Sequence, residues 1–137
     1  FDYSREEDTP AYSFKLRVSK KEAKERADEL SQIRQGITEE RLKVFKNQEV
    51  LVLVEEVIDT QDDSTEGLAI GRSWFQAPEV DGCVVIRYEK DFESEVNAVK
   101  PGNVIKANVL AINNVDLDAR FISLEKSFES SLRFLPQ

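Results

Sequence analysis

Carboxylates dominate the residues that could do chemistry in this chain. They come in close groups: Glu55-Glu56, Asp62-Asp63, Glu79 with Asp81, and Asp91 with Glu93 and Glu95. Two carboxylates at such spacing can act as a general acid and a general base. The commonest base is missing, because the chain has no His. Its single cysteine, Cys83, lies between Gly82 and Val84 and reads as a small buried hydrophobe. One Cys and no His exclude an internal disulfide, and also a zinc or iron–sulfur site built from the usual ligands. The lone thiol fits a reducing compartment. The five glycines are scattered and form no phosphate-cradling loop. The carboxylate pairs therefore read as solvated surface, and no catalytic, cofactor-binding or metal-binding residue is assigned.

Recognition is the second kind of chemistry. Arg72, Trp74, Phe75, Arg87 and Tyr88 fall on two neighbouring predicted strands, where aromatics could stack bases beside phosphate-binding cations. Acids crowd that groove, among them Glu66, Glu79, Asp81 and Glu93. The plainer reading has Trp74 and Phe75 capping a barrel. The sharpest local feature is the segment 76–82, Gln-Ala-Pro-Glu-Val-Asp-Gly. Pro78 fixes φ, and Asp81-Gly82 suits a tight turn. The segment either shapes a crossing between strands or presents Glu79 and Asp81 on a stiff loop. A stiff loop loses less entropy when it grips the Arg or Lys of a basic protein.

The charge is unevenly placed. Residues 1–44 carry ten acids and ten bases, whereas residues 45–137 carry seventeen acids and nine bases, so the whole net charge of −8 sits on the second part. An acidic surface repels phosphate backbones, whose binding rests on Lys and Arg. The plainer reading of the excess is a solubilising surface charge.

The elements that must position these residues fall into three stretches. Residues 1–18 are irregular, with Tyr3, Tyr12 and Phe14 around Thr9-Pro10. Residues 19–45 read as helical. Ser19 and Glu22 have capping-box spacing, and Ala23, Ala27, Leu30, Ile33 and Ile37 recur on one face. Gly36 followed by Thr38-Glu39-Glu40 predicts a kink or a second helix start. From Gln48 the period becomes two. The apolar run 50–54 predicts a strand buried on both faces. Further strands are expected over 68–75, 83–88, 103–112 and 117–124, with turns at Pro101-Gly102 and Asn113-Asn114. Five short strands with long loops suit a small antiparallel OB-like barrel, giving an α+β chain. The tail from Ser127, with Phe128, Leu132, Phe134 and Leu135, is expected to fray or to fold back as one amphipathic turn. No run of eighteen apolar residues is present, and no signal-peptide pattern opens the chain.

Gly71-Arg72-Ser73 followed by 77–82, Ala-Pro-Glu-Val-Asp-Gly, resembles the TRAM domain of the ribosomal-protein aspartate methylthiotransferases, the RimO-like radical-SAM enzymes. The segment 3–11, Tyr-Ser-Arg-Glu-Glu-Asp-Thr-Pro-Ala, resembles the last stretch of their radical-SAM barrel. Arg41-Leu42 and Asp116-Leu117 fall where that family places its helix end and last strand. Asp8 departs from the pattern, standing where the family has Gly.

The resemblance implies four parts: residues 1–18 as the end of a radical-SAM domain, 19–45 as a connecting helix or helix pair, 46–126 as the TRAM barrel, and 127–137 as a tail. It implies a cytoplasmic parent enzyme that uses S-adenosylmethionine and two [4Fe–4S] clusters to methylthiolate an aspartate of a small-subunit ribosomal protein. The cluster cysteines lie outside these residues, so this chain alone is expected to be inactive. Its expected role is to recruit the basic ribosomal protein, with Glu79, Asp81, Glu66, Glu93, Arg72 and Trp74 as candidate contacts, and to meet its own radical-SAM domain. The alternative is an RNA-binding TRAM module of a tRNA methylthiotransferase.

Overall fold

A computed structural model describes residues 2–15, 18–59, 64–78 and 80–128. The chain divides into two compact units, residues 1–37 and 38–137.

The first unit opens with a turn in which Asp8 takes φ of +65°, a left-handed conformation that Asp tolerates better than most residues. That is a conformation a glycine also adopts without strain. A 3-10 helix, Pro10–Ser13, follows. Arg5 lies 3.7 Å from the centre of the Tyr12 ring and donates to the Tyr12 carbonyl oxygen at 3.1 Å. Helix α1 spans Lys20–Leu42. The Glu22 amide donates to Ser19 Oγ at 3.2 Å, which is the expected cap, while the Glu22 carboxylate pairs with Arg26 at 2.6 Å. The expected break near Gly36 does not occur, and α1 runs unbroken through it. A glycine inside a helix costs about 1 kcal/mol relative to Ala, less than giving up the flanking backbone bonds. Leu30, Ile33 and Ile37 are exposed on α1, so its apolar face is not the packed stripe that their spacing suggests.

The second unit holds a closed barrel of five strands: β1 Glu49–Ile58, β2 Glu66–Arg72, β3 Val84–Glu89, β4 Val104–Asn113 and β5 Asp116–Lys126. Their order around the barrel is β1-β2-β3-β5-β4. Four seams are antiparallel. The fifth, β3 with β5, is parallel and brings Val84 opposite Leu117 and Arg87 opposite Arg120. A short helix α2, Glu93–Ala98, lies between β3 and β4, and its last residue, Ala98, is buried together with the following Val99. Sequence reading missed this helix, because six residues are too few to show a helical period.

The core follows the alternation of the strands. Val50, Val52 and Val54 of β1 point inward with Ala69, Val84, Ile86, Ile105, Val109 and Leu117. Leu51 and Leu53 are 50% and 41% exposed, which corrects the reading of β1 as buried on both faces. In a closed barrel each strand turns alternate residues to solvent, however apolar they are. Leu42, at the end of α1, joins the core, and Phe45 packs against it. At the far end of the described barrel, the Phe128 amide donates to Asn103 Oδ1 at 2.9 Å. The expected fold-back of the tail otherwise lies outside the described residues.

Candidate functional site

The strand registers assign every described candidate residue to one of two ends of the barrel or to the strand between them. Glu66 faces Glu89 across β2 and β3, and α2 follows β3. The end of β1, the start of β2, the end of β3 and α2 therefore share one end. The start of β1, the end of β2, the starts of β3 and β5, and the end of β4 share the other.

The first end is acidic. Glu66 accepts from Arg87 at 2.5 Å, and Arg87 also makes a two-pronged pair with Asp118 at 2.7 and 3.1 Å. Arg120 meets Glu89 at 2.7 Å and Glu66 at 3.8 Å. The carboxylate of Glu95 in α2 accepts the Glu89 amide at 2.7 Å. The hydrogen bonds it donates to Asp118 first, and then to Glu66, hold the Arg87 guanidinium above the ordinary arginine range. Glu89 does the same for Arg120. This network ties β2, β3 and β5 together across the parallel seam. Glu66 is thus committed within the protein. Beside it, Glu56, Asp59, Asp91 and Glu93 make no side-chain hydrogen bond or ion pair with another described residue, and Asp91 and Glu93 are exposed. Arg72, on β2, pairs with Glu55 of β1. Every arginine of the described barrel, Arg72, Arg87 and Arg120, therefore meets a carboxylate.

The second end is aromatic. β2 stops at Arg72, short of the expected Phe75, and residues 73–76 form a turn. The Ser73 amide donates to Gln76 Oε1, and the Gln76 amide donates to the Ser73 carbonyl oxygen, both at 3.0 Å. Ser73 Oγ donates to the Leu51 carbonyl oxygen at 2.9 Å, pinning the turn to β1. Phe75 stacks on Phe45 with ring centres 4.3 Å apart and planes 12° apart, so it does cap this end. Trp74 does not: it is 87% exposed and touches Phe75 edge to face at 5.6 Å.

The Pro78 loop is braced from within. Asp81 Oδ2 accepts the Ala77 amide at 2.8 Å, and the Asp81 amide donates to the Ala77 carbonyl oxygen at 3.2 Å. The carboxylate thus spends one oxygen bracing the loop rather than presenting both outward. Glu79 lies outside the described residues. Gly82 is required by close packing, since a Cβ there would run into the Val115 carbonyl oxygen. Next to it the Cys83 amide donates to Asp116 Oδ1 at 2.8 Å. Burial, and then the Asp116 charge, push the Cys83 thiol above its ordinary value.

The candidates therefore do not form one patch. Glu66 and Glu93 belong to the acidic end, Trp74 and Asp81 to the aromatic end, and Arg72 is paired on β2. The ion network was missed by sequence reading, since its members come together only through the registers of β2, β3 and β5.

Residues 48–122 match the family described as TRAM domain. Over 122 residues the chain is 48% identical to the ribosomal protein uS12 methylthiotransferase RimO of Treponema denticola, covering 87% of this chain and 25% of that protein. It is 34% identical over 120 residues to the enzyme of the same name from Aquifex aeolicus, covering 88% and 25%, and 35% identical over 119 residues to that of Oleidesulfovibrio alaskensis, covering 87% and 25%. The chain spans about a quarter of the length of these relatives. With the barrel formed by the residues that match, the chain belongs to the TRAM domain family.

Proposed function

We propose that this chain is the substrate-recruiting part of a methylthiotransferase that acts on ribosomal protein uS12, the substrate in the names of its relatives. The observation that carries the reading is the internal pairing of all three described barrel arginines, beside acids that have no partner among the described residues. Such a surface leaves no arginine of the described barrel free for a phosphate backbone, though Lys46, Lys100 and Lys126 have no ion pair to a described residue, and it offers a ready field for a basic protein. The alternative, a tRNA-reading barrel, would need those arginines free. The parent enzyme is a cytoplasmic radical-SAM protein with S-adenosylmethionine and two [4Fe–4S] clusters. A chain with one Cys cannot supply two clusters with thiolates, so the chain alone is inactive. Residues 1–18 form the end of the radical-SAM domain. Tyr3, Phe14, Leu30, Ile33 and Ile37, exposed in the first unit, are the surface that would meet the rest of that domain.

Titration of the chain with purified uS12 at low and high salt tests the reading. Binding is expected at low ionic strength and should weaken as salt screens exposed charges. Absence of binding at low salt, or tighter binding to tRNA than to uS12, would defeat it.

A further inference from the structure

We propose that Trp74 is a cation-binding anchor: its indole face receives an arginine or lysine side chain of a basic protein partner. The inference rests on the recruiting role above and assigns the chemistry of one contact within it.

Burying an exposed tryptophan gains free energy, so a ring held outward by its turn is available to a partner that covers it. Here the turn is rigid. Reciprocal Ser73–Gln76 bonds close it, the Ser73 hydroxyl fastens it to β1, and Phe75 is locked on Phe45. The edge-to-face contact with Phe75, at 89°, leaves the indole 87% exposed. A pre-organised aromatic ring loses little entropy on binding, which is the usual setting of an energetic hot spot.

Three occupants would fit an exposed indole: a nucleotide base, an apolar pocket, or a cation. Charge decides among them. A stacked base arrives with phosphates, and Arg72, the nearest arginine in sequence, is neutralised by Glu55. A cation meets the opposite field. Asp81 and Asp116 belong to this end, each with one carboxylate oxygen taken by a backbone amide, Glu49 at the start of β1 meets Lys106 at 3.8 Å, and the second unit carries the excess acid. Leu51, whose carbonyl oxygen receives Ser73 Oγ, is half exposed on the same strand and offers apolar surface to the methylene stem of an Arg or Lys. Tryptophan is the strongest of the aromatic rings for such a cation.

Trp74 is the only tryptophan in the chain, so its fluorescence reports this site alone. Purified uS12 should shift or quench that emission. Trp74→Ala and Trp74→Leu should both weaken uS12 binding, by about 3- to 30-fold, while Trp74→Phe keeps part of the affinity. Trp74→Leu binding as tightly as wild type would overturn the cation in favour of an apolar pocket. Quenching by single-stranded RNA but not by uS12 would overturn it in favour of base stacking. If uS12 binds by calorimetry yet Trp74 emission and the Trp74→Ala affinity are unchanged, the anchor fails and the recruiting role stands. If uS12 does not bind at all, both fail. The unchanged thermal midpoint expected of Trp74→Ala, given its exposure, shows that the barrel is intact in these comparisons.

Discussion

The two ends of the barrel solve different problems with different materials. At the acidic end, charges satisfy one another across three strands, and the carboxylates left over face solvent near α2. At the aromatic end, backbone packing and ring stacking hold a turn in place, and one tryptophan stands out of it. A field built from many carboxylates acts at a distance and tolerates imprecise geometry. A single ring acts only in contact and needs a rigid mount. The contrast suggests a division of labour in which one end attracts a partner and the other grips it.

The largest effect expected is at the rigid end. Gly82→Ala drives a Cβ into the Val115 carbonyl oxygen, a backbone atom that cannot swing aside, and should destabilise the barrel by about 3 kcal/mol. Its counterpart, Gly67→Ala, meets the Tyr88 ring, and a ring can move, so about 1–2 kcal/mol is expected. Thermal unfolding compares the two. Equal losses would erase the distinction between a backbone-packed end and a side-chain-packed one.

Next in size is the parallel seam. Asp118→Asn removes the two-pronged partner of Arg87 and should cost about 1–2 kcal/mol in chemical denaturation. No change would mean that the network neutralises charge without holding β3 to β5. A functional contrast follows. The pair Asp91→Lys, Glu93→Lys should slow association with uS12 roughly tenfold at low salt and leave thermal stability alone. Stopped-flow rates at two ionic strengths measure it. Slower association caused by Trp74→Ala rather than by the lysines would reverse the assigned roles.

The smallest effect concerns Cys83. Its folded-state thiol is raised above the ordinary value of 9.0, by burial first and by Asp116 second. A raised value means that the stability from the neutral thiol is complete below pH 9.0 and falls as pH rises towards the folded value. At pH 8 the thiol should alkylate slowly, and Asp116→Asn should speed that reaction a few-fold by removing the charge. An unchanged rate would leave burial as the whole cause.

The strands were legible because β-branched residues alternate or run together where they occur, and the cap of α1 because Ser19 and Glu22 stand three apart. Leu51 and Leu53 misled, since an apolar run cannot say whether its second face is covered. Trp74 and Phe75 misled for a related reason: aromatic residues favour strands, and only the reciprocal bonds of Ser73 and Gln76 reveal a turn. The excess of acid was plain in the composition. The ion network it forms across β2, β3 and β5 was not, because Glu66, Asp118 and Arg120 come from strands distant in sequence. The fate of Glu66, committed to Arg87, could not be read without the register.

The parallel contact between β3 and β5 has a further consequence. By closing the sheet on itself it gives each of the five strands a neighbour on both sides. Over residues 68–71 of β2, backbone amides and carbonyls are taken by β1 on one side and β3 on the other, so neither a peptide nor a second copy can add a strand there. Recognition on that part of the barrel wall is confined to side chains. Its specificity is therefore open to change one substitution at a time, without disturbing the hydrogen-bonded frame beneath.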